Sequence, residues 1–144
     1  GSNMLYLWIF GDNVEDRMGK ALFFLFYLVS GFFAFFVHYL FQPSSPVPTL
    51  GASGAIAGVM GAYFLLFKHS KIVTLVPVFV FVQLVEIPAV AFLILWFLMQ
   101  LFSGTSSWLS GISGGVAWWA HVGGFLAGYL IAKLLTRSSS PTAK

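Results

Sequence analysis

Residues 21–41 read without a single Lys, Arg, Asp or Glu. About twenty such residues are what a helix needs to cross the roughly 30 Å hydrocarbon core of a bilayer. In that core only helices and closed barrels can satisfy every backbone polar group. Further apolar runs follow at 51–67, 87–102 and 116–136, and a shorter one precedes at 3–14. The chain therefore predicts an all-α, polytopic membrane bundle of about five spans. With 59% hydrophobic and 8% charged residues, an ordinary soluble domain is excluded. The absence of cysteine excludes disulfides, thiolate catalysis and cysteine-ligated zinc.

The stretch between the third and fourth spans needs separate treatment. As one helix, residues 72–101 would be about 45 Å long, too long for the bilayer core. Pro77, Glu86 and Pro88 divide it, and 73–85 is rich in Val and Phe. An extended or re-entrant interfacial segment is expected around 72–86, with the fourth span at 87–102. A polar turn is expected from Gly11 to Lys20, a proline-rich loop at 42–49 and a Gly/Ser-rich loop at 103–115. Gly1 and Ser2 read as an expression-vector scar. Residues 3–136 form the membrane domain and 137–144 a polar tail.

The net charge of +3 could suggest nucleic acid as a partner. The seven Lys and Arg are instead scattered singly through short loops and the tail. Arg17 and Lys20, Lys68 and Lys71, then Lys133, Arg137 and Lys144 all fall on one side of a five-span layout. That is the positive-inside pattern, and nucleic acid is not an expected partner. Ser53 and His121 then both lie near the outer ends of their helices.

A serine hydroxyl needs a base within hydrogen-bond reach to act as a nucleophile, and imidazole is the usual one. Ser53 stands in Gly51-Ala52-Ser53-Gly54, and His121 in Ala120-His121-Val122-Gly123-Gly124. Each opens a helix rich in small residues. Gly54 with Gly58, and Gly124 with Gly128, are spaced to let two helices cross backbone to backbone. The start of the serine helix offers free N–H groups of Ser53 and Gly54 to an oxyanion. The Asn3 amide lies at a similar depth.

Plainer roles exist for each polar group. A membrane serine is more often a cap or an interhelical hydrogen bonder. His121 would also serve as a proton relay or metal ligand. His38 reads as an interfacial or gating group, His69 as solvated and Glu86 as an inner-interface anchor. Glu15 and Arg17 brace the turn near Gly19, through backbone groups or each other.

The serine and histidine motifs together resemble the rhomboid intramembrane serine proteases. The run from Asn3 to Gly19, the Glu86-Ile87-Pro88-Ala89 step and Gly115-Val116-Ala117-Trp118-Trp119-Ala120-His121 are similar to bacterial members. The resemblance implies a six-helix core with a Ser53–His121 dyad, no metal and no cofactor. It implies cleavage of single-pass membrane proteins near the outer end of their spanning segment, in a bacterial inner membrane. By position Asn3 matches an oxyanion-holding asparagine. Gly51, Gly58, Gly124 and Gly128 fall where the site's helices pack. The family has a first helix, a long outer loop and a histidine ahead of the Asn3 position, which this chain does not carry. A core fragment of reduced or no activity, prone to oligomers or domain swapping, is the expectation. A non-proteolytic binder of membrane clients, and a small transporter or proton pathway using His38, His121 and Glu86, stand as alternatives.

Overall fold

A computed structural model describes residues 1–43, 52–78, 81–111 and 116–138 of the chain. Most of the proline-rich loop, Gly51, residues 112–115 and the tail beyond Ser138 lie outside the described residues.

The first helix is continuous across three segments: α1 (Ser2–Tyr6), a π-helical turn (Leu7–Gly11) and α2 (Asp12–Met18). It runs past the expected end at residue 14, and the polar turn shrinks to Gly19. Val14 is buried while Asp12, Asn13, Asp16 and Arg17 are exposed, so the polar residues ride on the outer face of a helix that Val14 anchors to the core. Gly19 ends it at φ 83°, a conformation that costs glycine little. Its N–H donates to the Glu15 carbonyl at 2.6 Å. This is the ordinary backbone bond of the last helical turn. No ion pair joins Glu15 to Arg17 among the described residues.

Four more helices complete a five-helix bundle among the described residues: α3 (Lys20–Phe41), α4 (Ser53–Leu66), α5 (Ala89–Ser110) and α6 (Trp118–Ser138). α3 and α5 are long and apolar enough to cross a bilayer, with mean hydropathies of 2.1 and 1.7. Phe24, Leu28, Phe32 and Phe35 on α3, and Leu95, Leu98 and Phe102 on α5, stay exposed within the bundle. These faces are solvated by lipid, which is why a chain this apolar needs no larger protein core.

α4 is the hub. Every residue from Gly54 to Tyr63 is buried, under α6, α3 and the first helix. Ile56, Val59, Met60 and Tyr63 form the core with Phe10, Val14, Phe26, Leu93 and Phe125. A helix apolar on all sides suits such a central position.

The segment expected to be extended is an antiparallel hairpin, β1 (Lys71–Val78) and β2 (Phe81–Pro88), in register from Lys71↔Pro88 to Val78↔Phe81. Its Val, Ile and Thr residues favour strand over helix. At its base the Ala89 N–H donates to the Ser70 carbonyl at 2.9 Å, joining the end of α4 to the start of α5. Lys71 and Glu86 pair at 3.5 Å, both well exposed.

α5 continues to Ser110, eight residues beyond its expected end at 102. The Gly/Ser composition of 103–110 predicts a loop, but the hydroxyls bond within the helix. Thr105 Oγ1 donates to the Leu101 carbonyl at 2.8 Å, and Ser110 Oγ to the Ser107 carbonyl at 3.3 Å. Such back-bonding lets these residues remain helical. The helix stops at Gly111, which takes the left-handed conformation at φ 66°.

Candidate functional site

Small residues determine how α4 and α6 meet. A methyl group placed on Gly124 would overlap the Gly54 carbonyl, and one on Gly128 the Gly58 carbonyl. A methyl on Gly61 would overlap the Phe125 carbonyl in turn. The two helices therefore touch backbone to backbone along successive turns. They run parallel and start at the same end of the bundle. α3 closes on them there: Ala34 faces Gly54, Ser30 faces Gly58 and Val37 faces Gly123. Phe41 of α3 stacks on Trp119 of α6 with ring centroids 3.9 Å apart.

This crossing brings two side chains from the first turns together. Ser53 is the first residue of α4, and His121 lies in the first turn of α6. Ser53 Oγ and His121 Nε2 are 2.9 Å apart. Both side chains are half-buried. α4 spans about 21 Å at 1.5 Å per residue, short of the roughly 30 Å hydrocarbon core. Ser53 therefore sits below the bilayer surface when the hairpin end of α4 is level with the opposite interface.

Ser53 does not stand at the capping position of its helix: Ala52 does, and it makes no side-chain cap bond. The first helical bond runs from the Ile56 N–H to the Ala52 carbonyl at 3.0 Å. The N–H groups of Ser53, Gly54 and Ala55 have no partner among the described residues, and they point from the start of the helix.

The His121 ring is held on its other side as well. Nδ1 lies 2.8 Å from Gln100 Oε1, and Gln100 Nε2 donates to the Trp96 carbonyl at 3.3 Å. The rings of Trp96 and Trp118 flank the imidazole at centroid distances of 5.8 and 6.4 Å. Gln100 has no place in the motifs that single out Ser53 and His121. Its signal in the sequence is an amide side chain within the otherwise apolar 87–102 run, where a polar group needs a partner.

The other residues of interest make no hydrogen bond to this pair among the described residues. Asn3 is partly exposed on α1, which packs against α4, and its side chain makes no hydrogen bond among the described residues. His38 is buried one turn before the end of α3, and its Nδ1 is unpartnered among the described residues. His69 is exposed at the hairpin end. Glu86 pairs with Lys71, and no hydrogen bond joins it to either His38 or His121. Gly51 falls outside the described residues.

Comparison with known proteins agrees with this architecture. A profile of the Rhomboid domain matches residues 1–138. The chain is 39% identical over 80 residues to Rhomboid protein 1, mitochondrial, of Saccharomyces cerevisiae, covering 53% of this chain and 23% of that protein. It is 43% identical over 60 residues to Rhomboid protease GluP of Bacillus subtilis, covering 42% of this chain and 11% of that protein. The matches thus span less than a quarter of the length of either relative. No solved structure gives a significant match. With a Rhomboid domain match along nearly its whole length and a bundle whose outer faces require lipid, the chain is an integral membrane protein of the rhomboid family.

Proposed function

We propose that this chain carries the active centre of an intramembrane serine protease, with Ser53 as nucleophile and His121 as general base. The observation that carries the proposal is the 2.9 Å contact between Ser53 Oγ and His121 Nε2 at the start of two helices locked by glycine. A capping serine would turn its hydroxyl onto its own helix, whereas Ser53 turns it to an imidazole.

In this reading Ser53 Oγ attacks the scissile carbonyl carbon while its proton passes to His121 Nε2. The carbonyl oxygen becomes an oxyanion, received by the N–H groups of Ser53 and Gly54 and by the Asn3 amide. Collapse breaks the C–N bond, and His121 gives its proton to the departing amine. A water then attacks the acyl ester with His121 again as base, restoring Ser53. The site's place below the bilayer surface favours substrates that bring a peptide bond to that depth: single-pass membrane proteins, cut near the outer end of their spanning segment. The bacterial relative supports a bacterial inner membrane as the location, although the yeast relative is named as mitochondrial.

A fluorophosphonate probe tests the assignment. Covalent capture at Ser53, lost in Ser53→Ala and His121→Ala, is the expected result. Unchanged cleavage of a membrane substrate by folded Ser53→Ala would refute it.

A further inference from the structure

A neutral histidine has two tautomers, and only one of them can act as a base toward Ser53. With its proton on Nε2, the ring would donate to Ser53 Oγ and could not take its proton. The hydrogen bonds around Gln100 decide between the two forms. The Trp96 carbonyl can only accept, so the Gln100 NH2 group faces it, at 3.3 Å. The Gln100 carbonyl oxygen is thereby turned to His121 Nδ1, at 2.8 Å. A carbonyl oxygen also only accepts, so Nδ1 must carry the ring proton. A neutral imidazole has one N–H, which leaves the Nε2 lone pair facing Ser53 Oγ.

We infer that Gln100 is a positioning residue for His121, accepting its Nδ1–H so that Nε2 stands unprotonated toward Ser53. The inference rests on reading Ser53 and His121 as the dyad and adds a third member from a third helix. Gln100 is 5% exposed, so water does not readily replace its carbonyl. Without that acceptor the Nδ1–H would be left unpaired in a half-buried site, and the other tautomer would become favoured.

A neutral amide also fits the medium. A carboxylate at this depth would require a buried charge in the resting enzyme, which lipid-embedded proteins seldom carry unpaired. The amide becomes a charge-assisted partner only when His121 takes the serine proton, and its bond to Nδ1–H strengthens at that moment. The i to i−4 bond from Gln100 Nε2 to its own helix holds the amide in orientation, much as an outer-shell carboxylate orients other catalytic histidines.

The test uses the full-length protein in liposomes with a cleavable membrane substrate. Gln100→Met keeps length and apolar packing but removes the acceptor. Gln100→Glu, which burial keeps protonated, retains a carbonyl acceptor for Nδ1–H and an O–H donor for the Trp96 carbonyl. The expected result for Gln100→Met is a fall in kcat of roughly 10- to 100-fold, with KM changed less than about twofold. Fluorophosphonate capture of Ser53 should slow by the same factor, and Gln100→Glu should recover most of both. The 15N spectrum of labelled histidine, with His121 assigned by its loss in His121→Ala, should show the proton on Nδ1 in the wild type. Wild-type kcat in Gln100→Met would overturn the inference, as would equal losses in both variants. A wild-type ring protonated on Nε2 would overturn it without any Gln100 variant, even if these fold poorly. Retained cleavage by Ser53→Ala would instead remove the dyad on which the inference rests.

Discussion

The substitution Gly124→Ala adds one methyl group and should uncouple the two halves of the site. On the present backbone the new Cβ overlaps the Gly54 carbonyl and comes within 3.4 Å of the Ala34 Cβ. The carbonyl belongs to a helical turn and cannot swing aside, and Ala34 closes the other direction. To restore ordinary contact, α4 and α6 must part by about 1 Å or more. Gly54 adjoins Ser53, and Gly124 lies one turn after His121, so the separation falls directly on the dyad. A 2.9 Å hydrogen bond lengthened by about 1 Å is no longer a hydrogen bond. A misplacement of this size typically costs about 100-fold in rate. Overpacking should also cost about 1–3 kcal/mol of stability. Two measurements separate these effects: the rate at which a fluorophosphonate captures Ser53, and unfolding in detergent. Gly19→Ala is the control. A methyl group there meets nothing within 4 Å, but the φ of 83° strains any other residue. It should destabilise by about 1–2 kcal/mol and leave the capture rate per folded molecule unchanged. A wild-type capture rate in folded Gly124→Ala would show that the glycine crossing does not set the dyad distance. Gly124→Val should be worse than alanine on both counts.

Other perturbations report on the frame. Cysteines placed at Asn13, Lys68 and Lys133 should label with an impermeant maleimide from one side and Ser110→Cys from the other, since the chain has no native thiol; labelling of Lys68→Cys and Ser110→Cys from the same side would refute the layout. Phe32→Lys, on the exposed face of α3, should oppose membrane insertion by about 3 kcal/mol on a translocon scale, and efficient insertion would mean that this face does not meet lipid. Lys71→Gln should change stability by less than about 1 kcal/mol, because the ion pair with Glu86 is exposed; a larger loss in detergent melting would point to a buried role for the pair.

The bundle was legible because lipid imposes strict requirements on sequence. Spans must be apolar for about twenty residues, and the lone positives mark the ends. Ser53 and His121 could be paired because each precedes a small-residue face, and such faces imply close approach. Three features were harder to read. Asp12 to Arg17 has the composition of a turn, yet these residues lie on the exposed side of a helix that buries Val14. Residues 103–110 looked like a loop because serine and threonine usually break helices in water, but their hydroxyls turn back onto the helix. Gln100 carries no motif, being a single amide in an apolar run. Its meaning depends on a contact across twenty-one positions, which spacing along one helix does not reveal.

The hairpin between α4 and α5 makes that connection modular. Its base, the Ser70–Ala89 bond and the Lys71↔Pro88 pair, fixes how far apart the two helix ends stand. The strands beyond it form a ladder whose rungs face alternate sides. Such an arm can lose or gain rungs in twos, matched on both strands, and still return the chain to Ala89 with every outward residue on its original side. Taking out Thr74 and Leu75 together with their partners Val85 and Leu84 is one such edit. Removing one residue from one strand would shift the register and turn the rest of that strand over. Length here is thus free to vary by even steps, while the spacing of the helices that carry Ser53 and Gln100 stays fixed.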